Sequence, residues 1–150
     1  MNYLYYAMEL AVENVQQGGS PFGAVLVLEG EVISTGVNLH HRCYDVTTHA
    51  EIEAVRKAQH KLQTDDLSAC TMYASGMPCP MCLAAMYFVG IRNVYYAQTL
   101  EEAETVGLGT SKQIYSDLAK ESAQWHIHMV HVPTSHPEDP MKLFQQMKGE

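Results

Sequence analysis

The chain has 150 residues, 47% of them hydrophobic, and carries 17 acidic against nine basic side chains for a formal net charge of −8. A chain of this length buries roughly two thirds of its unfolded surface, so it can hold a core without disulfide staples. The acidic balance, with no cluster of Lys or Arg, argues against a polyanion-gripping protein, and no apolar run reaches the ~18 residues of a membrane span.

Taken in order, Leu4, Ala7, Met8, Ala11, Val12 and Val15 recur at helical spacing and define one apolar face, which Gly18-Gly19 ends. Residues 22–28 form a nearly unbroken apolar run. Glu29-Gly30 makes a tight turn and residues 31–37 return, a hairpin whose first strand is buried on both faces. Residues 38–46 are a polar loop of the kind that carries binding groups. A second helix is predicted from about Thr48 to Gln59 and a short strand over 70–74. The third helix opens at Pro80 and ends at Gly90; it is apolar nearly all round and is therefore expected at the centre. A strand over 93–97, a helix over 111–119, a fifth strand over 125–132 and a last short helix over 141–148 complete the series. The order predicts a three-layer α/β fold, one mixed five-stranded sheet with helices on both faces, in a single domain spanning 1–150.

The chemistry gathers at Pro78-Cys79-Pro80-Met81-Cys82. With Cys79 at a helix N-cap and Pro80 at the first helical position, both sulfurs aim at one point. The free N–H groups and positive end of the helix favour thiolates there. Upstream, His49-Ala50-Glu51 offers an imidazole and, two residues on, a carboxylate. His49, Cys79 and Cys82 make three ligands with a fourth position open, the arrangement of a catalytic zinc. Glu51 beside them suits a proton carrier. Other readings exist. The CxxC pair alone fits a redox dithiol, and His40, His41 or Cys43 would close a structural zinc site. Glu51 also fits a capping box with Thr48. His126 and His128 would share one face of the predicted fifth strand and His131 the other, so the three do not converge on an ion. Cys70, inside an apolar strand, reads as an inert core thiol. With two cysteines committed to a metal and no secretory leader pattern, reduced thiols in the cytoplasm are expected.

The pairing of His49-x-Glu51 with Pro78-Cys79-x-x-Cys82 is the signature of zinc-dependent base deaminases. With Pro21-Phe22-Gly23-Ala24-Val25, Gly36-Val37-Asn38 and Thr48 to Arg56, it makes the chain resemble the cytidine/deoxycytidylate deaminase superfamily, and within it the free-base branch of the bacterial guanine deaminases. The resemblance implies a three-layer α-β-α cytidine-deaminase-like fold, one Zn2+ per subunit, and hydrolytic deamination of a free nucleobase, guanine to xanthine plus ammonia. It implies Glu51 as proton shuttle and Asn38 and the Ala50 backbone N–H as base contacts; Phe22 and Phe88 are candidate apolar walls, with ordinary core packing as the other reading of both. It also implies a homodimer, possibly with an exchanged C-terminal tail for which 133–140 would be the hinge. The chain departs from that branch in three places. Met77 stands where a Glu usually precedes the Pro-Cys, Phe88 stands where a Trp is common, and Gly107-Leu108-Gly109-Thr110-Ser111 lacks the branch's Asp. Another aminopurine, cytosine or an amino-triazine therefore stays open as substrate. Adenosine deamination in transfer RNA and a non-enzymatic zinc module are the rival functions.

Overall fold

A computed structural model describes residues 1–149. Helix α1 (Tyr3–Gln16) opens at Asn2, whose side chain accepts the Tyr5 N–H. It closes at Gly18, where φ is +90°: the Gly18 N–H returns to the Val15 carbonyl and the Gly19 N–H to that of Asn14. This paired closure is a Schellman motif. Strands β1 (Gly23–Leu28) and β2 (Glu31–Val37) follow, joined by Glu29 and Gly30, both at positive φ as a two-residue type I′ hairpin requires. Then come α2 (Ala50–Leu62), β3 (Cys70–Gly76), α3 (Pro80–Val89), β4 (Asn93–Gln98), α4 (Leu100–Thr105), α5 (Thr110–Leu118), a 3-10 turn (Ser122–Gln124) and α6 (Pro140–Lys148).

The sheet runs β2-β1-β3-β4, antiparallel except for the parallel pair β3 and β4. The unbroken apolar run of β1 is explained by burial on both sides. Ala24 and Leu26 join Met72, Ala54, Leu67 and Met86 under α2 and α3. Val25 and Val27 join Ala7 under α1. Gly36 on β2 sets how deep α2 sits, because a Cβ there would lie 2.1 Å from the Ala50 carbonyl oxygen. The start of α2, which carries the His-x-Glu pair, is thus pressed directly onto the sheet.

Four expectations from the sequence change. The sheet has four strands, not five: residues 125–132 make no ladder, and Ile127, Met129, Val130 and Val132 are exposed. His126, His128 and His131 therefore lie on no strand, and His126 instead meets Asp117, Nδ1 to Oδ1 at 3.0 Å. On α1 the buried stripe is Ala7, Ala11 and Asn14, while Val12 and Val15 are exposed. The helix lies so close to β1 that a Cβ at Gly23 would be 2.5 Å from the Ala7 carbonyl oxygen, so small residues face the sheet and valines do not. Finally, α3 is an outer helix: Tyr87 and Phe88 are exposed, and only Cys82, Met86 and Val89 are buried.

Candidate metal centre and active site

Two helix N-termini meet at one place. His49 is the N-cap of α2 and makes no side-chain capping bond, which leaves its imidazole free. Thr48 spends its hydroxyl on the Asp45 carbonyl at 2.7 Å, so the capping box with Glu51 does not form. Cys79 is the N-cap of α3, Pro80 follows at the first helical position, and the Cys82 N–H points to the Cys79 sulfur at 3.5 Å. His49 Nδ1 lies 3.5 Å from Cys79 Sγ and 3.6 Å from Cys82 Sγ. A tetrahedral ion bound by one nitrogen and two sulfurs at ordinary bond lengths needs N···S separations of about 3.6 Å. These three are the metal-capable cluster among the described residues, and their donor atoms fit a zinc ion.

The local electrostatics agree with that fit. The Cys79 thiol is held down to about 4, first by the hydrogen bond from the Cys82 thiol and then by His49 and the Cys82 N–H. Cys82 is pushed up because its proton serves Cys79 and because it is buried beside Glu51. His49 is raised, chiefly by its bond to the Cys79 sulfur. Glu51, the second residue of α2, is raised to about 7, chiefly by burial and further by the Cys79 charge. A carboxyl in that range can both take and return a proton near neutrality.

Around this centre the expected substrate contacts separate. Ala50 is fully buried at the first position of α2, where its N–H has no intrahelical partner. Asn38 is buried, with its Oδ1 accepting the His40 N–H at 2.9 Å, so its Nδ2 remains as a donor. Phe22 packs against Gly76 and edges a cavity of about 180 Å³ together with Met77, Leu100, Leu108 and Ser111. Phe88 is not brought to the site. It is 90% exposed on the last turn of α3, and the nine residues separating it from Cys79 span about 13 Å of helix rise. One residue escaped the sequence reading: Tyr115 on α5 donates its hydroxyl to the Pro78 carbonyl at 2.6 Å. Its pKa rises to about 12 through burial first and then the charges of Cys79, Cys82 and Glu51. No local motif marks it, because its partner lies 37 residues away.

Soft sulfur donors, three ligand residues rather than a closed set of four, and a proton-holding acid next to them belong to zinc-dependent hydrolases rather than to structural zinc modules. The chain is a member of the family described as the cytidine and deoxycytidylate deaminase zinc-binding region, which matches residues 1–98. It is 36% identical over 149 residues to the guanine deaminase of Bacillus subtilis (strain 168), covering 99% of this chain and 95% of that one. It is also 36% identical over 132 residues to a tRNA-specific adenosine deaminase of Agrobacterium fabrum, covering 78% and 87% respectively. The solved structure of the Bacillus subtilis guanine deaminase matches with a TM-score of 0.87 at 35% identity, over 100% of this chain and 96% of that chain. No helix among the described residues is long and apolar enough to cross a membrane.

Proposed function

We propose that this chain deaminates a free nucleobase by hydrolysis, guanine to xanthine plus ammonia, with His49, Cys79 and Cys82 holding one zinc ion. The observation that carries the reading is the tetrahedral spacing of those three donors beside the buried carboxyl of Glu51. Zinc, when bound, supplies the positive charge that acidifies water near neutral pH. Glu51 takes one proton from the attacking water and delivers it to the ring nitrogen next to the amine-bearing carbon; it then takes the remaining hydroxyl proton from that carbon and passes it to the amine, so that the C–N bond breaks, the carbonyl forms and ammonia leaves. Asn38 offers Nδ2 to an acceptor on the base and the Ala50 N–H faces it, while Phe22 supplies an apolar wall. Identity along the whole chain to a guanine deaminase favours guanine. Met77 and the carboxylate-free 107–111 segment favour a related amino-heterocycle as the alternative.

We also propose that the protein is a homodimer with its tail exchanged. Ile127, Met129, Val130, Val132, Met141, Phe144 and Met147 are 63–80% exposed within the chain, and the exposed Tyr87 and Phe88 lie on α3. We infer a reducing compartment, the cytoplasm, as its location, a reading that the four free thiols, two of them at the proposed zinc site, support. The test is ammonia release by zinc-loaded protein from guanine, adenine, cytosine, an amino-triazine and transfer RNA. Guanine is expected to react, and Glu51→Ala is expected to keep one zinc per chain and lose turnover. Ammonia from transfer RNA alone, from no base at all, or from Glu51→Ala at the wild-type rate would each overturn the reading.

A further inference from the structure

One buried polar side chain on α1 has no part in the chemistry above. Asn14 sits on the sheet-facing stripe of α1 and is 2% exposed. A buried amide is costly unless bonded, and this one is fully used as a donor. Its Nδ2 donates to the Ser20 carbonyl at 2.8 Å and to the Asn38 carbonyl at 2.9 Å. Those carbonyls belong to two separate segments, and both segments lead to the proposed base site. Ser20 precedes Pro21-Phe22, and Asn38 is itself a proposed base contact. The segments are also joined to each other, since the Asn38 N–H donates to the Phe22 carbonyl at 3.3 Å. From there the Leu39 N–H reaches the Thr48 carbonyl at 2.9 Å, one residue from His49.

We propose that Asn14 is a positioning residue for base recognition: it fixes the height of Asn38 and Phe22 over the metal ligands without touching the base. The inference rests on the free-base reading above. Its side-chain hydrogen bonds run to Ser20 and Asn38, and none goes to α3 or Glu51. Asn14 therefore governs affinity for the base rather than the chemical step. A second feature points the same way. A Cβ on Gly19 would lie 2.5 Å from Asn14 Nδ2 and 2.7 Å from His41 Cε1. Both are ends of side chains, so an alanine there is accommodated by swinging the Asn14 amide off its carbonyls. Gly19→Ala thus displaces the same amide that Asn14→Ala deletes.

The experiment compares zinc-loaded full chains of wild type, Asn14→Ala, Gly19→Ala and the double variant. Loss of a buried hydrogen-bond anchor is expected to raise KM for guanine about tenfold. The kcat should stay within about twofold and zinc at one per chain, because the ligand helix and Glu51 are untouched. Amide exchange of residues 38–40 is expected to quicken about tenfold in both single variants, and the double variant should be no worse than Asn14→Ala, because the shared contact is already gone. Unchanged KM with unchanged exchange overturns the proposal, and so does a parallel fall of kcat and zinc content, which marks a merely structural residue. Should Asn14→Ala fail to fold, Gly19→Ala decides alone, since it removes no side chain. A wild type inactive on every free base defeats the free-base assignment, and the exchange data then decide the anchor by themselves; where a base other than guanine reacts, KM is read with that base.

Discussion

Glu51 is a carboxyl taken out of water, and its pKa moves from an ordinary 4.5 to about 7 chiefly for that reason. The folded chain therefore keeps a proton that the unfolded chain has already lost between those two values. Stability from this group is complete below pH 4.5 and is lost as pH rises through 7, by on the order of 3 kcal/mol. In zinc-stripped protein, Glu51→Gln is expected to be more stable than wild type at pH 8 by that amount and equal to it near pH 4. Urea unfolding at the two pH values checks this, and parallel stability profiles would contradict it. The same residue shows what sequence can and cannot disclose at this scale. His49-x-Glu51 and the CxxC were legible because spacing along two helix starts fixes where the side chains point. Whether Glu51 was a cap or an acid was not, because that turns on a hydroxyl three residues upstream choosing the Asp45 carbonyl instead. Asn14 and Tyr115 were invisible for a different reason: their partners lie 24 and 37 residues away.

At the level of elements, the site depends on how α2 meets the sheet. The contact is backbone against backbone: a Cβ at Gly36 would be 2.1 Å from the Ala50 oxygen and 2.8 Å from the Ala54 nitrogen, neither of which can swing aside. Gly36→Ala is expected to lift the start of α2 from β2, carrying His49 and Glu51 away from Cys79 and Cys82. Overpacking of this kind costs about 1–3 kcal/mol. The functional mark is zinc lost to a chelator at concentrations that leave wild type loaded, read by metal analysis after dialysis. Full retention of zinc would show that α2 is held elsewhere. The hairpin, α2, β3, α3 and β4 were all readable from period and punctuation, since their burial is decided within a few neighbouring elements. The face of α1 was not, because close helix–sheet contact selects small residues and leaves larger ones outside. The apolar face of α3 misleads for a different reason: a helix apolar nearly all round does not say which of its faces the same chain covers, and Tyr87 and Phe88 stay exposed.

For the whole molecule, that reasoning extends to the last third. A fifth strand is expected over 125–132, but in this chain those residues lie beside no strand, while β4 keeps an open edge with Tyr95 and Tyr96 exposed. A monomer seldom leaves so many large apolar side chains in water, and an unpaired strand edge invites another chain. Trp125 and His126, upstream of the proline-rich 133–140 stretch, are tied back to the end of α5 and the turn after it. Asp117 accepts the His126 N–H at 3.0 Å and meets its ring, and the Trp125 indole N–H donates to the Lys120 carbonyl at 3.1 Å. An exchanged dimer buries tail and edge together, whereas a dimer formed through α3 alone leaves the tail bare. The two arrangements respond oppositely to surgery. If the full chain sediments as the proposed dimer, a chain ending after Lys120 is expected to sediment as a monomer at the same concentration, and Val130→Asp with Val132→Asp should weaken the proposed dimer in the same direction. A truncated chain that remains dimeric, and dissociates only on Phe88→Asp, would assign the interface to α3 and leave the tail unexchanged.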